Sequence, residues 1–379
     1  MAPTVQFVSK PVDPPINDGT KHIVLSLARH LSRYAPRVMT SRDVTNVGDG
    51  IDVDAIFDKT SSYAPSLLNN LRAAKHLALG KRASVWNFVF APNVRSSQMG
   101  RVLSKLRGCP VVQTIASRPK SFDHPSRLLF GDIVVAQSDD TKRRFLSALG
   151  EEKKPGAARH RFEVIPPPLG TVRIPSLEDT HVVRRALGVA MDAPLLLYPG
   201  DLEVSRGAAR VVSVARQLVH RHPSAVVVFA YRDKTPSAAD IAAKLEGGLL
   251  ADVPPSRFRF VREAPDILSL VRTSAVLIFP VDELYGKVDL PIVLLEAMAL
   301  GTPVLTYGEG PLGGLCGVEF VSPDDEAALV EVALTLIDDH GRRAGRIAAQ
   351  ERAVIEQYAA SAVARRYENL YDELLSAKS

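Results

Sequence analysis

The chain has 379 residues, 46% of them hydrophobic and 23% charged, which is the profile of a globular protein with room for two domains. Its apolar runs fall far short of the roughly 20 residues a membrane helix needs, and no charged segment leading into an apolar stretch opens the chain as a secretory signal would. Two cysteines, Cys109 and Cys316, are too few for a metal cage or a disulfide framework, so a cytoplasmic protein without a metal site is the expectation.

The formal charge of +5 is unevenly spread. Residues 1–165 hold 25 Lys+Arg against 14 Asp+Glu, a net of +11 that leaves −6 for the remainder. A basic half suits an anionic acceptor or a peripheral contact with an anionic membrane surface, and a merely solvated surface is the plainer reading. Nucleic acid is not an expected partner.

In chain order, residues 4–9 form an apolar run of strand type. A helix follows over 19–33 with Ile23, Leu27 and Leu31 at helical spacing. Strand-like runs recur at 84–90, 110–115 and 133–136, with helices near 93–106 and 139–149, the second capped by Ser138. Residues 150–179, rich in proline and charge, suit an interdomain linker. A second series then begins, with strands at 194–198, 225–231, 258–261, 275–279 and 303–306. Helices lie between them at 206–220, 238–249, 264–272 and 291–300. The tail from about 326 to 375 is helical with a break near His340-Gly341. The result is two open α/β sheets in tandem, whose ligands should lie at the carboxyl ends of the strands.

Chemistry concentrates in the second half. The stretch Lys287-Val288-Asp289-Leu290-Pro291 leads into a short apolar helix that ends at Gly301, with proline in its first turn and glycine at its end. Glu296 is the anomaly there, because an unpaired carboxylate is costly to bury. A ribose diol would be a fitting partner. Upstream, a strand ends at Tyr198-Pro199-Gly200 and Arg206-Gly207 opens a helix, where a cation beside the helix N-terminus can hold a diphosphate. A glycine-rich loop, Gly308-Glu309-Gly310-Pro311-Leu312-Gly313-Gly314, lets backbone amides approach an anion. No G-x-G-x-x-G follows the first strand, so a dehydrogenase is not expected.

Glu296-Ala297-Met298-Ala299-Leu300-Gly301-Thr302-Pro303-Val304 resembles the second half of the glutamate motif of the retaining glycosyltransferases of family four. The resemblance implies the GT-B fold, with two Rossmann-like domains facing across a cleft and a last helix crossing back to the first domain. The implied boundaries are 1–165, 166–355 and 356–379. It also implies transfer of a sugar from a nucleotide-diphosphate sugar to a hydroxyl acceptor, a glycan, lipid or small molecule, without metal or other cofactor.

By the same resemblance, Glu296 holds the donor ribose. Gly19, Gly200, Arg206, Gly310, Leu312 and Gly313 line the donor, and Arg206 stabilises the leaving diphosphate. The family's first glutamate is Val288 here, leaving Lys287 or Asp289 to meet the transferred sugar. Asp201 stands where the family has an arginine. The histidine expected at the end of the 111–115 strand is missing from Gln113-Thr114-Ile115-Ala116-Ser117, and His124 lies a few residues on. These departures keep a second reading open, a catalytically degenerate subunit that binds nucleotide sugars.

Overall fold

The computed structural model describes every residue except 1, 17, 60–65, 153–159, 285–286, 324 and 378–379. The chain divides into two compact units. One comprises Met1–Gly170, Tyr285–Ile292 and Gln357–Ser379; the other comprises Thr171–Leu284 and Val293–Glu356.

The first unit opens with β1 (Thr4–Val8), α1 (Gly19–His30), β2 (Ala35–Ser41), β3 (Asp52–Phe57), α2 (Leu67–Leu79) and β4 (Val85–Phe90). It continues with α3 (Val94–Arg107), β5 (Val111–Ile115), α4 (Pro125–Leu128), β6 (Ile133–Ala136), α5 (Asp139–Glu151) and β7 (Arg161–Val164). Its seven strands form one sheet in the order β3-β2-β1-β4-β5-β6-β7, with every neighbouring pair parallel. Strands covered on both faces read as continuous apolar runs, which is why β4, β5 and β6 are visible in the sequence. Strand β7 falls inside the stretch expected to be a linker. Its backbone pairs with Ile133–Ala136, so the linker begins later than its composition indicated.

The last helix of the chain, Ala360–Ser376, also belongs to this unit and is called α13 below. Its apolar stripe of Val363, Ala364, Tyr367, Leu370 and Tyr371 shares a core with Ile23, Val24 and Leu27 of α1. Glu368 is 1% exposed within it, yet its carboxylate accepts from the Ser32 and Arg33 amides, each at 2.6 Å. Burial alone would raise its pKa, but these amides together with the Arg33 and Ser32 side chains hold it below the usual range.

The second unit contains α6 (Leu177–Leu187), β8 (Leu195–Pro199), α7 (Gly207–Arg221), β9 (Val226–Tyr231), α8 (Ala238–Leu250), β10 (Phe258–Arg262) and α9 (Ile267–Arg272). After these come β11 (Val276–Phe279), α10 (Ile292–Ala299), β12 (Val304–Tyr307), β13 (Glu319–Val321), α11 (Glu326–Asp338) and α12 (His340–Ala353). Six strands run in the order β10-β9-β8-β11-β12-β13, again with parallel pairings. The break expected near His340 is present, with Asp339 ending α11 and capping α12 through the Arg342 amide at 2.9 Å.

In each sheet the chain order reverses beside the first strand, between β1 and β4 and between β8 and β11. Connections on either side of such a point leave toward opposite faces, opening a crevice at the carboxyl ends of the two strands. Among the described residues no helix is long and apolar enough to cross a membrane.

Candidate functional site

In the second unit the reversal point is framed by Gly200–Arg206 after β8 and by Pro280–Asp282 after β11. Two glycines let these loops close. A Cβ on Gly200 would meet the Tyr198 hydroxyl at 2.6 Å, and one on Gly207 would meet Val281 Cγ2 at 2.8 Å. Tyr198 is fully buried and donates its hydroxyl to the Asp201 carbonyl at 3.0 Å, which shapes the loop from within.

Arg206 precedes the first turn of α7, and its side chain is 77% exposed. Its Nε lies 3.0 Å from Asp282 Oδ2, and its amide lies 3.4 Å from Asp282 Oδ1. One turn on, Arg210 is only 11% exposed, and its Nη1 reaches the same Asp282 oxygen at 3.0 Å. The Arg210 guanidinium also lies 5.1 Å over the ring of Tyr307, the last residue of β12. Burial alone would raise the Asp282 carboxyl, but Arg206 and Arg210 hold it below the usual carboxylate range. A chain of charged and aromatic groups therefore crosses the ends of β8, β11 and β12. Two guanidiniums share one carboxylate, leaving an excess of positive charge at a helix N-terminus, where anions are favoured.

Beside this cluster, Asp201 is a buried acid whose side chain pairs with Lys234 Nζ at 2.8 Å. Glu203 fixes the lysine's loop by accepting from the Lys234 and Thr235 amides at 3.1 and 3.0 Å. Where the resemblance called for an arginine, the chain thus has an acid together with a cation from a neighbouring loop. Neither Arg210 nor Lys234 was singled out from the sequence. The i, i+4 spacing of Arg206 and Arg210 was the available signal for the first; pairing across loops left none for the second.

Glu296 lies in the second turn of α10, among neighbours that are almost all buried and apolar. Burial raises its pKa, and its carboxyl makes no hydrogen bond or ion pair with any described residue. Other enclosed acids are engaged. Asp201 has Lys234, Glu319 has Arg342 and Arg346, and Glu368 has its amides. Helix α10 runs from the β11 loop toward the start of β12, and Glu296 lies roughly 6 Å along the helix from its first residue, Ile292.

The glycine-rich loop after β12 forms a short 3-10 turn, Gly310–Gly314. Gly310 adopts φ +62°, and a Cβ on Gly313 would strike the Gly308 carbonyl oxygen at 2.5 Å, so both positions have structural reasons to be glycine. Leu312 was expected to line the donor, but its side chain is 1% exposed and belongs to the core.

Gly19, Lys287 and Asp289 belong to the first unit, so the segment 287–289, expected in the second domain, is reassigned. Val288 covers the start of α1 closely enough that a Cβ on Gly19 would meet its Cγ1 at 2.5 Å. Asp18 caps that helix through the Thr20 amide at 2.9 Å and pairs with Lys10 at 2.6 Å. Asp289 is 1% exposed, and its Oδ2 accepts from the Ser138 hydroxyl at 2.6 Å, with Arg118 Nε 3.9 Å from Oδ1. Burial pushes its carboxyl up against the opposing pull of Ser138, Thr141 and Arg118. Ser138 also caps α5, so the acid reads as a clamp on that helix start. Lys287 is half-buried, and His124 lies exposed at the start of α4.

Two doubly wound parallel sheets, the second with a cationic cluster at its reversal point and an enclosed acid in helix α10, define the GT-B class of fold. Residues 193–339 match the family described as Glycosyl transferases group 1.

Among curated proteins the chain is similar to the 2-deoxystreptamine N-acetyl-D-glucosaminyltransferase of Streptomyces fradiae, 28% identical over 71% of this chain and 66% of that one. It is also similar to the D-inositol 3-phosphate glycosyltransferase of Acidothermus cellulolyticus, 26% identical over 66% of this chain and 56% of the other. The chain thus spans between about half and two thirds of the length of these relatives. Among solved structures, Anabaena HepE in complex with UDP-glucose superposes with a TM-score of 0.72 at 15% identity, covering 98% of this chain and 100% of that one. Sucrose-phosphate synthase from Thermosynechococcus elongatus gives a TM-score of 0.73 at 17% identity, over 99% and 100% of the two chains.

Proposed function

We propose that this chain is a retaining glycosyltransferase that moves a sugar from a nucleotide-diphosphate sugar to a hydroxyl-bearing acceptor without a metal or other cofactor. The observation that carries the reading is Glu296, a largely enclosed carboxyl without a partner in the same unit as an excess of guanidinium charge. A ribose diol supplies two hydroxyl donors to such a carboxylate, and a diphosphate supplies the anion that Arg206, Arg210 and the first amides of α7 attract.

In the reaction, the bond between the anomeric carbon and the β-phosphate oxygen breaks as the acceptor hydroxyl attacks the same face. The acceptor's proton passes to the departing phosphate oxygen. Negative charge grows on the diphosphate, and Arg206 with the helix-end amides stabilises it, the preorganised electrostatic contribution that often dominates enzymatic rate. Lys234, held by Asp201, supplies further positive charge beside that cluster.

A thermal-shift screen with the diphosphates of uridine, guanosine, adenosine and thymidine, and with their sugars, tests the reading. A ligand specific to the native state raises the melting temperature according to its affinity and concentration. One nucleoside diphosphate and its sugar should stabilise the chain, and the sugar should turn over slowly to free nucleotide without acceptor. The relatives named for 2-deoxystreptamine and inositol phosphate make cyclitols the first acceptors to try. No stabilisation by any of these ligands defeats the proposal. Stabilisation with no hydrolysis and no transfer marks a binding subunit instead.

A further inference from the structure

We infer that the outer face formed by α2 and α3 of the first unit docks on an anionic lipid bilayer. The inner faces of these helices are ordinary core. Ala73, Leu77 and Leu103 pack with Trp86 and Phe88 against the sheet. Their outer faces are not. Leu67, Leu71, Lys75 and Leu79 follow one another at intervals of four along α2, with Leu68 beside the first. Val102 and Leu106 stand one turn apart on α3. Each of these six apolar side chains is more than half exposed. The two helices are held together at their carboxyl ends by Arg107, whose guanidinium donates to the Ala78 and Gly80 carbonyls at 3.1 and 2.8 Å.

Scattered exposed leucines are normal, but a row of them at helical spacing on paired helices is not. Charge identifies the occupant. Residues 59–122 contain 11 Lys+Arg and no Asp or Glu, a net of +11 that equals the whole excess of the first 165 residues. Lys75, Lys81, Arg82, Arg95 and Lys105 are exposed on or beside the two helices. The acids at the neighbouring end of β3 are engaged, Asp54 by His76 at 3.0 Å and Asp58 by Arg42 and Arg72. An apolar stripe rimmed by cations fits a layer that offers negative headgroups above a hydrocarbon interior. Leucines enter the acyl boundary while long basic side chains stay at the headgroups. A protein partner with an acidic rim, or a polynucleotide, would use the charge but not the row of leucines in the same way.

Co-sedimentation of the full chain with vesicles tests this independently of any transferase activity. The chain should pellet with mixed phosphatidylcholine–phosphatidylglycerol vesicles, remain in solution with phosphatidylcholine alone, and dissociate as salt rises. Leu67→Ser/Leu71→Ser/Leu79→Ser should weaken binding by roughly tenfold or more for the set. Lys75→Glu and Lys105→Glu should each weaken it by roughly fivefold or more at low salt. All these positions are exposed, so circular dichroism melts should match the parent. Failure to pellet with anionic vesicles overturns the inference. So does binding that survives the triple serine change, which would mean charge alone. A leucine-dependent dimer in sedimentation velocity without vesicle binding overturns it too, and assigns the face to a second copy.

Discussion

Arg206 and Arg210 hold the same oxygen of Asp282, each at 3.0 Å, although one guanidinium is mostly exposed and the other mostly buried. The shared carboxylate keeps two like charges close. On the proposed function, the exposed guanidinium turns to the donor diphosphate while the buried one stays with Asp282 and the Tyr307 ring. The two arginines therefore do different work, and substitution should separate them.

Arg206→Ala should leave the melting temperature nearly unchanged, because exposed ion pairs contribute about 0–1 kcal/mol. Its effect should fall on turnover, by about 100-fold or more, with a smaller change in donor affinity, as for loss of a group that acts mainly in the transition state. Arg210→Ala should lower both the melting temperature and donor affinity, with a stability loss of about 1–3 kcal/mol from the stranded carboxylate and the lost ring contact. Calorimetry and steady-state kinetics on the two variants check this. Equal behaviour would contradict the division of roles.

The enclosed Glu296 carboxyl predicts a pH signature. Its folded pKa lies above its ordinary value of 4.5, so the native state binds the proton more tightly than the unfolded state. Stability from this group is therefore intact below that ordinary value and declines as pH rises through the folded pKa. Glu296→Gln removes the decline. The variant should melt higher than the parent at neutral pH and with it at pH 4, measured by thermal melts across the range. A parent whose margin over the variant grows with pH would show that the carboxylate has a native partner.

Loss of the clamp at Asp289 should appear as instability. Asp289→Ala strands the Ser138 hydroxyl at the cap of α5 and should cost about 1–3 kcal/mol in chemical denaturation, while donor affinity of the folded fraction stays near the parent's. Val288→Glu, which restores the family's first glutamate, should also destabilise, because that side chain is packed on Gly19. A gain in turnover with normal melting would show that this segment faces the reacting sugar.

Lys234→Met removes the cation paired with Asp201 and leaves a buried carboxylate behind. Donor affinity should fall by about tenfold, and Asp201→Asn in the same chain should restore stability but not affinity, read by paired melts and titrations. Full recovery of affinity in the double variant would make the pair purely structural.

Strands covered on both faces were legible as apolar runs, from Val85–Phe90 to Val304–Tyr307. The buried β2 escaped because Pro36, Arg37 and Thr40 interrupt its apolar run, and the edge strands β3, β7 and β13 escaped because Asp52, Asp54, Arg161, Glu163 and Glu319 give them the composition of loops. Glu296 was legible for a physical reason, since an acid among apolar helix residues demands an explanation, and its placement keeps that demand open. Arg206 was legible from its position before a helix. Arg210, Asp282 and Lys234 were not, because their roles arise from loops that meet only in the folded sheet. Val288 and Asp289 read as the approach to the donor helix, whereas their packing on Gly19 and Ser138 is a tertiary choice no local pattern announces. The net charge of the whole first half hides the acid-free stretch 59–122.

Isothermal titration of two ligands against two proteins tests most directly the proposal that Glu296 holds the ribose hydroxyls of the donor. The ligands are the preferred nucleoside diphosphate and its analogue lacking the ribose hydroxyls; the proteins are the parent and Glu296→Gln. Hydrogen bonds to a charged group contribute about 1.5–3 kcal/mol, so the parent should bind the analogue roughly 10- to 150-fold more weakly, whereas the variant should discriminate far less. Equal discrimination by both proteins would contradict the account.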